Sequence, residues 1–296
     1  MCFFWGTTYL AIRIGVRDIS PAALMCARYL ASGLILVIGA RFKSAVFPKA
    51  REMALTALFG VITIGGGTGS LAVSEQWIPS GLTALFVTTQ PFWLVAIERV
   101  FAGRGGGREP LHARAIAGMI VGLAGVAYLV APGAGGAAET PPGHHGVRDA
   151  FLVLQLGVLM WSAGSIAQRR LTTRAHSFVN GGIQQLATGI VFLFIALFDG
   201  QKSHWTPSAI AAVSYLAIFG GAIGYSAYMY SLDRLPVAIV STYTYINPVV
   251  AVVLGWLFYN EQLGLREMIA MLVIFVGVAL VKGFGKKASG ARRQNK

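Results

Sequence analysis

The stretch Trp5-Gly6-Thr7-Thr8-Tyr9-Leu10-Ala11-Ile12-Arg13 has a counterpart 156 residues downstream, Trp161-Ser162-Ala163-Gly164-Ser165-Ile166-Ala167-Gln168-Arg169, which keeps the Trp, the Ala and the Arg in register. Leu30-Ala31-Ser32-Gly33 meets Leu186-Ala187-Thr188-Gly189 at the same offset. After one added residue the offset is 157, and Gly67 pairs with Gly224, Ser74 with Ser231, Pro79 with Pro236, and Gln90-Pro91 with Asn247-Pro248. Near the end, Glu109, Arg114 and Gly125 pair with Glu261, Arg266 and Gly277 at offset 152, the extra loop residues lying around Arg104-Gly105-Gly106-Gly107. A nearly constant offset over polar, Pro and Gly positions marks an internal duplication.

Each copy is built from apolar runs. Of the 296 residues, 55% are hydrophobic and only 12% charged, and the mean hydropathy is +0.66. A soluble domain carries about twice that charge, so a cytosolic enzyme, a disordered chain and a disulfide scaffold are excluded. Runs at about 1–16, 21–40, 54–78, 80–98, 112–131, 150–168, 178–198, 207–231, 236–259 and 265–284 are expected to be helices, because hydrocarbon satisfies no open strand edge. A barrel would show alternating segments of about ten residues instead. The expected fold is an all-α polytopic membrane protein of ten transmembrane helices in two inverted five-helix repeats. Residues 1–131 form the first repeat, 132–149 a Gly/Pro-rich outer linker, 150–284 the second repeat and 285–296 a basic cytoplasmic tail. The first run is short and starts at Met1 with no turn before it, so a longer natural first helix is expected.

The net charge of +13 would suggest nucleic acid in a soluble protein. Here it sets topology, and no nucleic-acid partner is expected. With the N-terminus cytoplasmic, the inner segments hold 18 Lys and Arg and the outer ones five, which places both termini inside. Five spans per repeat turn the second copy upside down, with Arg13 outside and Arg169 inside. Inverted repeats are a transporter architecture. Two halves of similar shape and opposite orientation give two states of similar energy, and a site between them faces either side. The expected function is a secondary transporter of small organic metabolites, amino-acid-like solutes or amphipathic drugs, working as an exporter in whichever direction the gradient sets. The alternative is a channel or a non-transporting membrane receptor. A channel calls for a ring of like charge or a filter backbone, and a membrane enzyme for a nucleophile–base set inside the spans. Neither is visible.

Arg28 is the one Arg or Lys well inside a span, about 10 Å below its outer end. It either holds a substrate carboxylate or pairs with Glu75; the plain alternative is a snorkelling or structural arginine. Gln90-Pro91 and Asn247-Pro248 stand at equivalent places in spans four and nine. Proline frees a carbonyl one turn earlier and the neighbouring amide offers a donor and an acceptor, so the pairs read as cavity lining and hinge, or as static kinks. Gly65-Gly66-Gly67-Thr68-Gly69 and Gly220-Gly221-Ala222-Ile223-Gly224 read as close packing or as hinges. The hinge candidates are Gly66, Gly67, Pro91, Gly221, Gly224 and Pro248. Trp5 and Trp161 are repeat partners in mid-helix. With Tyr9, Trp93, Gln184, Gln185, Tyr228 and Tyr245 they suggest an uncharged, aromatic-rich cavity suited to an amphipathic organic solute. About half of the wider aromatic set, which includes Tyr225, Tyr230 and Tyr243, reads as interfacial belt. No carboxylate falls at the expected midplane. Glu75 and Glu98 come nearest and are the candidates for coupling, with facilitated movement the favoured reading. There is no phosphate loop, no metal spacing and no cysteine pair, so no cofactor and no metal is expected; Cys2 and Cys26 read as packing residues. Gly118-Met119-Ile120-Val121-Gly122 is a GxxxG match, compatible with a monomer or a weak homodimer.

Trp5-Gly6-Thr7-Thr8-Tyr9 with Arg13-Ile14-Gly15 resembles the first-helix signature of EamA-type permeases in the drug/metabolite transporter superfamily. So do Ala27-Arg28-Tyr29, Pro79-Ser80-Gly81, and Asn247-Pro248-Val249-Val250-Ala251 followed by Glu261. The resemblance covers essentially the whole chain. It implies an inner-membrane protein with two EamA repeats, a central cavity, alternating access and export of small metabolites or drugs. Gln90, Trp93 and Glu98 depart from the family pattern.

Overall fold

The computed structural model describes residues 2–42, 45–101, 113–130, 146–171, 175–235, 240, 243–259 and 264–282. Every regular element among them is helical. In chain order they are α1 (Cys2–Gly15), α2 (Pro21–Phe42), α3 (Ala50–Gly60, continued by π-helical Val61–Gly66 and by Gly67–Ser74), α4 (Ser80–Val87), α5 (Gln90–Phe101) and α6 (Ala113–Val130). After the repeat boundary come α7 (Val147–Arg170), α8 (Ser177–Phe198), α9 (Pro207–Tyr215, π-helical Leu216–Tyr225 and Ser226–Arg234), α10 (Tyr243–Tyr259) and α11 (Leu265–Lys282). Among the described residues six helical stretches are long and apolar enough to cross a membrane: Pro21–Phe42, Ala50–Ser74, Ser80–Glu98, Val147–Arg170, Ser177–Phe198 and Pro207–Leu232. Ile116–Tyr128, Ile246–Phe258 and Met268–Gly277 are shorter apolar helices. Phe194, Leu197, Trp256 and Phe258 stand exposed on α8 and α10, an apolar surface suited to hydrocarbon. The expected linker up to residue 145, the tail 285–296, and Glu109, Glu139, His144-His145, Pro236 and Glu261 lie outside the described residues.

The polar residues cap these helices. Ser20 Oγ accepts the Ala23 N–H at 3.1 Å, ahead of Pro21 at the first helical position. Thr206 Oγ1 accepts the Ala209 N–H at 3.2 Å, again followed by proline. α3 starts before its apolar run because the Glu52 carboxylate accepts the Lys49 N–H at 3.3 Å. The Ser208 hydroxyl donates to Asp18 Oδ2 at 3.2 Å and the His204 N–H to the Asp18 carbonyl at 2.7 Å, which ties the α1–α2 turn to the α8–α9 loop.

The two copies meet through reciprocal contacts. A methyl group built on Gly33 would stand 2.8 Å from the Leu186 backbone nitrogen, and one built on Gly189 would stand 2.8 Å from the Leu30 nitrogen. The 156-residue offset converts the first contact into the second. Residue numbers rise along α2 as they fall along α8, so these two related helices run antiparallel. The same exchange links Gly125 on Ile274 with Gly277 on Gly122 in α6 and α11, and Gly164 on Thr63 with Gly220 on Thr8. Helices packed this way are related by a pseudo-two-fold axis perpendicular to them. On α2 the axis passes near Ala31 and Ser32, midway between the paired contacts. Arg28 therefore stands about 5 Å along the helix from the axis.

The two proline sites differ. The first repeat breaks ahead of Gln90-Pro91: α4 ends at Val87, and Thr88 and Thr89 form a turn in which the Thr88 N–H reaches the Leu85 carbonyl at 3.1 Å. In the second repeat Pro248 lies inside the continuous α10. The hydroxyls of Thr88 and Thr89 donate to the Leu85 and Phe86 carbonyls at 2.6 and 3.0 Å, offering the backbone an alternative to the helical ladder. Their repeat partners, Tyr245 and Ile246, carry no such short hydroxyl.

Candidate functional site

Helices of both copies wall a cavity of about 70 Å³, room for on the order of five waters. α1 contributes Trp5, Thr8 and Tyr9; α2 contributes Arg28 and Tyr29; α3 contributes Gly67 and Thr68; and α5 contributes Gln90. From the second copy come Gly157 and Trp161 on α7, Gly220, Gly221 and Tyr225 on α9, and Tyr243 and Asn247 on α10. The expected residues Trp5, Tyr9, Arg28, Gln90, Trp161 and Asn247 thus share one wall with Gly67 and Gly221.

The aromatic end is held by the pseudo-symmetry. Trp5 and Trp161 meet edge to face with centroids 5.6 Å apart, and Trp5 meets Tyr243 at 4.8 Å and Tyr228 at 5.1 Å. Each indole sits on a glycine of the other copy, Trp161 on Gly67 and Trp5 on Gly224. A methyl on Gly224 would stand 2.6 Å from Trp5 Nε1, so packing accounts for that glycine, as it does for Gly66 against Met160 and Gly221 against Ser32. The two π-helical stretches occupy equivalent places in α3 and α9. Widening a helix in this way disturbs the regular bonding, and the Gly220 carbonyl accepts the Trp5 indole N–H at 3.1 Å.

Polar side chains fix the rest. The Gln90 amide donates to the Tyr243 hydroxyl at 2.9 Å, Tyr9 and Asn247 are joined by a side-chain hydrogen bond, and Tyr29 bonds Thr68. Behind the wall, Gln184 donates to Gln168 at 2.9 Å and accepts the Tyr225 hydroxyl, while Gln185 accepts the Ser32 hydroxyl and donates to the Gly221 carbonyl at 3.4 Å. Tyr228 bonds Ser165 at 2.7 Å and supports the two indoles from outside the wall. Trp93 donates to Gln155 Oε1 at 3.0 Å rather than facing the cavity. The Gln155 amide also donates to the Phe86 carbonyl at 3.3 Å, at the break between α4 and α5. A polar break at membrane depth needs such a protein partner. Pro91 and Pro248 are buried beside Gln90 and Asn247.

Arg28 is 4% exposed. Its Cζ lies 4.6 Å from the centre of the Tyr29 ring, and its Nε and Nη1 have no hydrogen-bond partner. Glu75 is fully buried and off the wall, within Coulombic reach of Arg28 and Tyr9, and its carbonyl accepts from Arg13. Glu98 is exposed and takes no part in the wall. The Tyr245 side chain lies outside the described residues. Thr8, Tyr29, Thr68, Tyr225 and Tyr243 line the cavity beyond the expected set. The 156-residue offset carries Gln185 onto Tyr29, a sequence signal for that residue. Gln155 has no comparable signal, because its role depends on where α4 ends.

Two segments of the chain, residues 1–131 and 150–283, match the EamA-like transporter family. The chain is 34% identical to the inner membrane transporter YedA of Escherichia coli (strain K12) over 94% of its own length and 86% of that protein. It is 24% identical to a protein of Streptantibioticus cattleyicolor named as a terminal-alkyne amino-acid exporter, over 98% of this chain and 92% of the other. It is also 24% identical to a WAT1-related chloroplastic protein of Arabidopsis thaliana, over 94% and 67%. A solved crystal structure shares the fold with a TM-score of 0.65 and 23% identity, covering 100% of this chain and 96% of the other. Matched along both copies by the family's sequence pattern, and by YedA over nearly its whole length, the chain belongs to the EamA-like transporter family.

Proposed function

We propose that the chain is a secondary transporter of small organic solutes that works by alternating access. It crosses the membrane ten times in two inverted repeats, residues 1–131 and 150–284, with both termini cytoplasmic. The observation that carries this reading is the position of the cavity. It draws its walls from both copies, and Arg28 on that wall lies about 5 Å along α2 from the pseudo-two-fold axis. When the related helices cross a membrane, that axis lies in the membrane plane. Exchanging the conformations of the two halves then turns an inward opening into an outward one with the site left in place. The wall suits an amphipathic or amino-acid-like solute: Trp5 and Trp161 at one end, the Gln90 and Asn247 amides and Arg28 around it. Export is the direction in which a relative is named, and the gradient sets it here.

Counterflow in proteoliposomes tests the reading. Liposomes loaded with unlabelled solute should accumulate labelled solute transiently, and an internal load should speed entry. Flux of the same solute without trans-stimulation would identify a pore and overturn alternating access.

A further inference from the structure

On the reading of the cavity as a carrier site, we infer that its cargo is an organic anion, held by Arg28 and by the indole N–H of Trp161 through carboxylate- or sulfonate-type oxygens. The argument is a census of unmet hydrogen bonds. Arg28 Nε and Nη1 are buried without partners, and Trp161 Nε1 is buried without a hydrogen bond of normal geometry. All three are donors. Among the described wall residues, no fully buried side-chain oxygen is left without a partner. Gln90 and Tyr243 satisfy each other, and Tyr29 and Thr68 do likewise.

The repeat sharpens this. Trp5 spends its N–H on the Gly220 carbonyl. The equivalent carbonyl for Trp161 belongs to Thr63, and that bond is not made. The Trp161 N–H reaches instead toward the Tyr228 and Tyr243 hydroxyls without a bond of normal geometry to either. The 156-residue offset carries Arg28 onto Gln184, whose amide is bonded to Gln168 and Tyr225. Unmet donors thus remain on the wall where the charge is, and the matching positions of the other copy are satisfied or neutral.

A buried guanidinium with two free donor nitrogens is costly until an acceptor arrives. Planar Arg nitrogens suit an anion with two or three oxygens. An organic cation finds no carboxylate on the wall, because Glu75 stands behind it. The apolar remainder of the cargo lies against the rings of Trp5, Trp161 and Tyr225.

Two aromatic probes of permanent and opposite charge test the inference, benzenesulfonate and benzyltrimethylammonium, with benzoate as the carboxylate. Binding to the purified full chain in nanodiscs is read by tryptophan fluorescence. Both anions should bind at least tenfold more tightly than the cation. Arg28→Gln should erase the preference, and Arg28→Lys, which restores charge without the planar fork, should recover part of it. Trp161→Phe should weaken anion binding at least threefold; it also carries the test if Arg28→Gln does not fold. Equal or tighter binding of the cation, a preference that survives Arg28→Gln in folded protein, unchanged anion binding in Trp161→Phe, or no binding by any probe overturns the inference. Counterflow separates it from the carrier reading. Anion-selective binding with benzenesulfonate flux that lacks trans-stimulation upholds the anion site and removes the carrier. Trans-stimulated exchange of benzyltrimethylammonium does the reverse.

Discussion

Gly33 and Gly39 lie six residues apart on α2, and replacing each by alanine isolates the contact that joins the two copies. A methyl on Gly33 would meet the Leu186 nitrogen at 2.8 Å, whereas one on Gly39 would meet nothing within 4 Å. Ordinary van der Waals contact begins near 3.4 Å, so α2 and α8 must separate by about 0.6 Å to admit the Gly33 methyl, and the packing around it loosens, at a cost of about 1–3 kcal/mol. Both substitutions gain helix propensity, up to about 1 kcal/mol. Gly39→Ala keeps that gain, so Gly33→Ala should be less stable than Gly39→Ala by about 1–3 kcal/mol. Gly189→Ala should fall short by the same amount, since its methyl meets the Leu30 nitrogen at 2.8 Å. The double variant Gly33→Ala/Gly189→Ala should lose less than the two losses added, because one separation of the helices serves both methyls. Reversible unfolding of the full chain in bicelles measures all four. A Gly33→Ala protein as stable as Gly39→Ala, or a tolerated Gly189→Ala beside a damaging Gly33→Ala, would refute the reciprocal crossing and with it the axis.

Gln155→Leu should destabilise by about 1–3 kcal/mol in the same assay, because the Trp93 indole N–H loses its acceptor and the Phe86 carbonyl its amide donor; a neutral result would mean that the break at Thr88-Thr89 is satisfied some other way. Tyr243→Phe removes the partner of the Gln90 amide and should cost about 0.5–1.5 kcal/mol, with a raised KM in counterflow; an unchanged KM would separate Gln90 from the site. With Cys2 and Cys26 replaced by Ala, a membrane-impermeant maleimide added to intact cells should label Glu139→Cys in the linker and leave Ala288→Cys in the tail unlabelled until the membrane is opened; the reverse pattern would invert the proposed topology.

The duplication was legible because it is written in residues that cannot drift freely. Gly33 and Gly189 have no space for a side chain, and Trp5 and Trp161 each need a glycine beneath them. Those constraints recur at a fixed spacing in the sequence, and the structure shows them to be one set of contacts seen from two sides. The cavity residues Trp5, Tyr9, Arg28, Gln90, Trp161 and Asn247 were legible for a related reason: polar or amphipathic groups inside an apolar span need a partner or a cavity. The same rule could not tell a wall residue from one behind it. Gln184, Gln185 and Trp93 satisfy that need against Gln168, Ser32 and Gln155 instead, and pairings so distant in the chain leave no local pattern. The asymmetry at the two prolines was hidden for another reason. It turns on the hydroxyls of Thr88 and Thr89 rather than on the prolines that caught the eye.

Symmetry and chemistry are divided between different residues, and that division bears on mechanism. The contacts exchanged by the axis involve Gly, Leu, Ile, Thr and Trp, which pack, and an exchange of conformations between the halves would leave such contacts equivalent. The two buried charges do not obey the offset. Arg28 corresponds to Gln184, and Glu75 corresponds to Leu232 at offset 157. Had the charges been duplicated, two buried guanidiniums would face each other across the axis, and their repulsion in a medium of low dielectric would force the halves apart. A single Arg28 near the axis avoids that repulsion. On the proposed alternating-access reading it would also let one anion site serve both openings, because a group close to the axis changes its position little when the halves exchange.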